Sequence, residues 1–205
     1  MTLLKAIAYQ NLCTQQASAD NIPIPSQTLL SKTGSQSSSM RLPYVDPSTI
    51  TSPEGTAIVE RVRARRSPRP LQALDLTLLH SPAVADGWNS FLGAIRTKTS
   101  LSDDIREIAI CRVAVINRAW YEWAHHAPLA AAGGVSDEGM KVLEQEDLTG
   151  KSGAELSEKQ WAVVYYTDAI TKDLAVTDKT FAGLKKLFSD QEVVEITATS
   201  GRKMA

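Results

Sequence analysis

Residues 102–133 have the sequence SDDIREIAICRVAVINRAWYEWAHHAPLAAAG, the most apolar run of the chain. Apolar residues recur at helical spacing on both sides of Asn117, without the alternation that is typical of a strand. The pattern predicts two helices, and the first, over about 105–116, is apolar almost all round and should be central. A carboxylate or imidazole in such surroundings must find a partner or change its proton affinity. If the chain has an active site, we expect it here.

The helical pattern continues outward from this run in both directions. Helix-start residues such as Ser52-Pro53-Glu54, and a capping-box pattern from Ser157 to Gln160, precede several of the apolar segments. The further helices are predicted at about 52–66, 71–80, 82–97, 136–143, 161–171, 177–187 and 191–199. No strand pattern of useful length is present, so we predict an all-α fold.

Composition restricts the class of protein. The chain has 205 residues, of which 43% are hydrophobic and 22% charged, as in an ordinary globular protein. A formal net charge of −1 argues against a nucleic-acid partner, and the short basic cluster within 61–69 is expected to be a solvated helix end. No segment reaches the roughly 18–20 apolar residues of a membrane span. We expect no membrane partner, and without a recognisable secretory signal we expect a cytoplasmic location.

Three segments differ in their residue content. Residues 1–39 carry few charges and many Ser, Thr and Gln residues, which predicts a disordered or atypical extension. Residues 40–199 form the predicted helical domain, and residues 200–205 form a short tail. The two cysteines, Cys13 and Cys111, form no Cys-x-x-Cys motif, which excludes a disulfide framework and a thiolate metal site.

Candidate acid–base groups cluster in the central stretch. Glu122 precedes His125 by three residues and His126 by four, so the carboxylate can hold an imidazole in one tautomer on a shared helix face. Glu107 lies in the preceding helix. If the two helices pack antiparallel, we expect Glu107 to reach the imidazole only through a helix bend or from another chain. A purely structural Glu–His pair is the open alternative.

Two further residues have two interpretations each. Arg112, in an apolar helix, can bind a substrate carboxylate through two hydrogen bonds or form a buried pair with an acid. His80, before Ser81-Pro82, can contact substrate or cap helix carbonyls. Adjacent residues such as His125 and His126 point about 100° apart on a helix, so we predict no metal site.

The motif REIAI at 106–110 and the motif NRAWYEWAHH at 117–126, with alanines after it, resemble the carboxymuconolactone decarboxylase family. That family includes the alkylhydroperoxidase D-like proteins, and the resemblance extends over about residues 40–199. It implies an alkylhydroperoxidase D-like helical bundle that forms homo-oligomers. It also implies an active site built around this helix pair, commonly near subunit contacts.

The resemblance points to the cysteine-free branch of the family. In the peroxidase branch a Cys-x-x-Cys opens the second helix, but here Ala119 and Glu122 occupy the two cysteine positions. Glu107 and His126 occupy the branch's glutamate and histidine positions. Since Cys111 lies on another helix and has no second cysteine near it in the sequence, disulfide-cycling peroxidase chemistry is excluded at this site.

The cysteine-free branch implies a cofactor-free reaction on a small lactone acid. Loss of carbon dioxide leaves a dienolate, which must be stabilised and then protonated at carbon. We predict that His126 donates the proton, that Glu122 orients it and that Glu107 is a second acid–base group. The predicted substrate-binding residues are His125 and Tyr121 as oxyanion donors, with Arg112, Trp123, Trp88 and His80. The alternatives are a peroxidase-like or oxygenase-type oxidoreductase and a non-catalytic oligomeric binding protein.

Overall fold

The structure, a computed structural model, describes residues 42–201, and the chain divides after Ser90 into two compact units. Within the described residues it contains α-helices, a short 3-10 helix and no strand, which confirms the predicted all-α class. The extension expected over residues 1–39 lies outside the described residues. The α-helices are α1 (Pro53–Arg66), α2 (Ala73–Leu78), α3 (Pro82–Thr97), α4 (Asp103–Ile116), α5 (Trp120–Ala132), α6 (Asp137–Leu143), α7 (Glu158–Lys172), α8 (Asp178–Leu187) and α9 (Asp190–Gly201).

The first unit contains α1, α2 and the first turns of α3. As predicted, Ser52 caps α1, with its hydroxyl accepting from the Gly55 N–H. The unit's apolar cluster consists of Val59, Leu78, Leu79 and Ala85. The expectation of a solvated basic helix end is wrong for Arg66, which is 6% exposed. Its guanidinium makes two hydrogen bonds, of 2.8 and 2.9 Å, to the buried Asp75, because the first turn of α2 packs beside the end of α1.

The second unit is built around α4. Its residues 108–115 are at most 1% exposed, which confirms that this helix is central. It contacts α5, α6, α7 and α9, and the apolar residues of these helices close the core around it. The predicted capping box of α7 is also present, with Ser157 and Gln160 each accepting a hydrogen bond from the other's backbone N–H. None of the described helices has the length and apolar character that crossing a bilayer requires.

A tight connection joins α4 to α5. After Asn117, which is the C-cap of α4, the Ala119 N–H donates to the Ala114 carbonyl at 2.8 Å and the Arg118 N–H donates to the Val115 carbonyl at 2.9 Å. These two bonds define a Schellman motif, whose left-handed position is occupied by Arg118 at φ 52°. The motif turns the chain back, so that α5 can run antiparallel to α4.

The far ends of the two helices confirm this arrangement. Gly133, at the end of α5, lies so close to the start of α4 that an added Cβ would be 2.8 Å from the Asp104 backbone nitrogen. The two helices of this hairpin are therefore close together at both ends, and their side chains meet between the ends.

Candidate active site

Glu107 of α4 and His126 of α5 meet inside the second unit. The Glu107 Oε2 lies 2.6 Å from the His126 Nδ1, and the two side chains are 5% and 8% exposed. A carboxylate accepts from Nδ1–H, so the contact selects the imidazole tautomer in which Nε2 is the basic nitrogen. From the sequence we expect this contact to need either a helix bend or a second chain. In the structure it forms within one chain, so a second chain is not needed.

The second oxygen of Glu107 is also hydrogen-bonded. The Arg106 Nε donates to Glu107 Oε1 at 3.2 Å, and the Arg106 Nη2 donates to Asp103 Oδ1 at 2.5 Å. Burial raises the pKa of the Glu107 carboxyl, but the hydrogen bond and charge of His126, together with Arg106, outweigh burial and lower that pKa below its usual value. Glu107 is therefore an ionised carboxylate at neutral pH.

Glu107 contacts the imidazole that Glu122 is predicted to orient. The hydrogen bond at Nδ1 of His126 goes to Glu107 on α4, because His126 faces the buried interior between the two helices. Glu107 therefore orients the imidazole from α4, and the orienting role of Glu122 stays a prediction. Glu122 lies in the first turn of α5, where a carboxylate interacts favourably with the helix dipole. Its part in acid–base chemistry stays a prediction.

His125 and Tyr121 lie together on α5. The His125 Nδ1–H donates to the Tyr121 carbonyl at 2.8 Å, and the two rings have centroids 4.2 Å apart. His125 is exposed whereas His126 is buried, as the rotation between successive helix positions requires. Trp123, half-buried, packs against the core of the second unit. The substrate contacts of all three side chains, Tyr121, Trp123 and His125, stay predictions.

Of the two interpretations of Arg112, the structure shows the buried pair with an acid. Its guanidinium is fully buried and donates to both carboxylate oxygens of Asp168, at 2.8 and 2.7 Å. The remaining Nη1 group donates to the carbonyls of Leu143 and Gln145, each at 2.7 Å. The prediction that Arg112 binds a substrate carboxylate is therefore corrected, because these internal acceptors occupy its fork.

Trp88 and His80 belong to the first unit. Trp88 packs against that unit's apolar cluster, and its buried Nε1–H has no acceptor among the described residues. His80 is exposed, and its Nε2 lies 2.8 Å from the Pro43 carbonyl oxygen. Their substrate-binding roles stay predictions. Within residues 42–201, no group of three or more His, Cys, Asp or Glu side chains is placed to hold a metal ion.

Arg106 is the site residue to which the sequence pattern assigned no role. It is part of the REIAI motif, but a neighbour at i+1 does not normally share a helix face with Glu107. The available signal was Asp103, three residues earlier, which can pair with Arg106 along the helix.

Comparisons with known proteins agree with this fold. Residues 82–163 match the family model described as the carboxymuconolactone decarboxylase family. A solved structure from Agrobacterium tumefaciens, of a protein of unknown function described as a candidate antioxidant defence protein AhpD, is similar at 22% identity and a TM-score of 0.50. The match covers 60% of this chain and 82% of that chain, and it confirms the predicted AhpD-like helical fold. No curated protein matches the chain.

Proposed function

Because residues 82–163 match the model of the carboxymuconolactone decarboxylase family, we propose that this chain is a cofactor-independent, decarboxylase-type lyase. Its proposed substrate is a small cyclic carboxylic acid such as a carboxylated lactone. The observation that carries the proposal is the 2.6 Å hydrogen bond between Glu107 and His126, because it gives a buried imidazole a fixed tautomer. Such a group can deliver a proton to carbon without help from a bound cofactor.

The reaction proceeds in two steps. The bond between the substrate carbon and its carboxylate breaks, carbon dioxide leaves, and the electron pair delocalises into the lactone carbonyl as a dienolate. The Nε2–H of protonated His126 then donates to the dienolate carbon, which restores the neutral lactone. Glu107 stabilises the imidazolium before this transfer, and water returns the proton to His126 afterwards.

Burial supports this division of roles. The side chains of Glu107 and His126 are at most 8% exposed, so their mutual attraction is screened less than it would be at the surface. The developing oxyanion also needs a donor, and His125 and Tyr121 are the candidates for it on the same helix. Glu122 is the candidate for relaying a proton from solvent to His126.

The cysteines of the chain favour the lyase over a disulfide-cycling peroxidase. Disulfide-cycling chemistry needs an accessible thiolate and a resolving thiol. Cys111 is 0% exposed in α4, and the two positions that open α5 in the peroxidase branch are Ala119 and Glu122. The oxidoreductase is therefore the second candidate, and it is an outcome of the test below.

The test is carbon dioxide release from a carboxylated lactone by purified protein in buffer containing a chelator and no reductant. We expect turnover, and we expect His126→Gln to lower kcat by about 100-fold or more, the usual contribution of a general acid. The control is Glu60→Gln, at an exposed glutamate of the first unit, which should leave kcat unchanged. Circular dichroism establishes that both variants are folded.

Two outcomes contradict the proposal. Turnover that requires peroxide and a dithiol identifies the oxidoreductase. No turnover of any lactone acid, together with a concentration-dependent rise in melting temperature on adding one, identifies a non-catalytic binding protein.

A further inference from the structure

Arg106 connects two carboxylates at the start of α4. Its Nη2 donates to Asp103 Oδ1 at 2.5 Å and its Nε donates to Glu107 Oε1 at 3.2 Å. The Arg106 side chain is only 15% exposed, whereas the Asp103 side chain is 71% exposed. The guanidinium therefore lies between a carboxylate in solvent and a carboxylate in the interior.

This geometry is unusual for neighbouring residues. Residues at i and i+1 on a helix do not face each other, so Arg106 must fold along the helix to reach Glu107. Asp103 is at i−3, on the correct side to hold the guanidinium in that position. The contact between Arg106 and Glu107 therefore depends on an anchor that lies outside the buried pair.

Both oxygens of the Glu107 carboxylate are consequently held by charged or ionisable partners. Oε1 accepts from Arg106 on α4, and Oε2 accepts from His126 on α5. These two groups are the charged or titratable side chains that interact with Glu107. Two bonds from different directions fix the plane of the carboxylate as well as its position.

We propose that Arg106, anchored by Asp103, is a positioning residue that holds Glu107 ionised and directed at the Nδ1 of His126. Burial by itself favours the neutral acid, and a neutral Glu107 would lose the charge that stabilises an imidazolium. The catalytic consequence rests on the proposed function, whereas the effect on Glu107 does not require any substrate.

The first measurement therefore uses no substrate. Protein labelled with ¹³C at the glutamate carboxyl is titrated by NMR, and the Glu107 signal is assigned by its loss in Glu107→Gln. In Arg106→Met the Glu107 midpoint is expected to move to higher pH, because a positive charge and a hydrogen bond to the carboxylate are both removed. Arg106→Lys restores the charge and should return the midpoint part of the way. Arg63→Met, at an exposed arginine of the first unit, is the control and should leave the midpoint unchanged.

The second measurement is the pH dependence of kcat in the lactone assay. The acid limb of the profile should move to higher pH in Arg106→Met and return toward wild type in Arg106→Lys. If the wild type does not turn over any lactone, the proposed function fails and the NMR titration still decides the role of Arg106.

An unchanged Glu107 midpoint in folded Arg106→Met overturns the inference. If Arg106→Met does not fold, Asp103→Asn provides the test, because it removes the anchor from an exposed position. Its Glu107 midpoint should also move to higher pH, and an unchanged midpoint there overturns the inference equally.

Discussion

A buried carboxylate is stable as an anion only when its partners replace the water it has lost, and Glu107 meets this condition through His126 and Arg106. The lowered pKa of Glu107 makes its contribution to folding dependent on pH. The stabilisation is complete above the carboxyl pKa of the unfolded chain, about 4.3. Below that pH the unfolded chain takes up the proton first, so the stabilisation is lost as the pH falls through the lower pKa of the folded state.

Glu107→Gln should therefore cost about 1–3 kcal/mol of unfolding free energy at pH 7, the range for losing a buried charged hydrogen bond. The difference from wild type should shrink as the pH falls below about 4.3. Urea unfolding at a series of pH values measures this difference. Glu60→Gln, at an exposed glutamate, is the control and should show little difference at any pH. A Glu107→Gln difference that does not change with pH contradicts the prediction.

Arg112→Met tests the structural assignment of the second buried ion pair. Removing the guanidinium leaves Asp168 with the partly exposed Lys172, 3.2 Å away, as its remaining cation, so we expect a loss of about 3–5 kcal/mol in urea unfolding. Arg63→Met breaks an exposed pair with Glu60 and should cost less than about 1 kcal/mol. A normal urea midpoint for Arg112→Met combined with a large rise in KM would restore the substrate-binding role.

The residue types identified the side chains of the candidate site, but they did not identify all the contacts between those side chains. Glu107 and His126 stand out as polar groups in an apolar run, and the family resemblance marks the same two positions. The contact between His126 and Glu107 depends on how α4 and α5 are rotated against each other, and the pattern of a single helix does not contain that information. The same is true of Arg112, whose acceptors are 31 to 56 residues away in the chain.

At the scale of helices, α4 and α5 both end in a Schellman motif but use different residues at the left-handed position. Gly134, at φ 108°, follows α5, and Arg118, at φ 52°, follows α4. A side chain in this region costs about 1–2 kcal/mol relative to ordinary backbone, and glycine avoids that cost. Arg118 recovers part of it through an ion pair with Glu146 at 3.0 Å, which is exposed and therefore weak.

Arg118→Gly should for this reason raise the unfolding free energy by about 0.5–1 kcal/mol. Glu146→Gln, which removes the ion pair and keeps the arginine, should change it by less than about 1 kcal/mol. Both are measured by urea unfolding at pH 7. A loss of stability in Arg118→Gly larger than that in Glu146→Gln would show that the arginine makes a stronger contact than its exposed ion pair.

Two glycines allow a matched test of the helix contact. An added Cβ at Gly133 would meet the Asp104 backbone at 2.8 Å, whereas one at Gly183, inside α8, meets nothing within 4 Å. Gly133→Ala should cost about 1–3 kcal/mol, because backbone must move. Gly183→Ala should gain about 0.5–1 kcal/mol from higher helix propensity. Thermal and urea unfolding measure both, and equal effects would contradict the close contact of α4 and α5.

The helices could be predicted from the sequence because the signals that specify a helix act over a few residues. Capping residues such as Ser52 and Ser157 act within three or four residues, and the apolar period follows from the helix itself. The basic cluster in 61–69 was misassigned because the partner of Arg66, Asp75, belongs to the next helix. Local patterns do not indicate which charges a later element will cover.

At the scale of the whole molecule, α5 has an unusual surface for a chain in water. Only His126 and Ala130 of its residues are buried, and the large apolar side chains of Trp120 and Leu129 are 42% and 50% exposed. Exposed apolar side chains on a helix that also carries the candidate site are typical of a surface that another protein covers. We propose that a second copy of this chain covers α5, as the family resemblance implies.

The assembly proposal predicts a change in mass on charging this surface. Wild-type protein should elute in light-scattering chromatography at a multiple of the 22.3 kDa chain mass. Trp120→Glu with Leu129→Glu should shift it toward the single chain, because carboxylates cannot be buried unpaired in an apolar contact. Val194→Glu, at a 66% exposed valine of α9, is the control and should leave the mass unchanged. A wild type that elutes as a single chain at every concentration would contradict the assembly, and an unchanged mass in the folded double variant would exclude α5 as its surface.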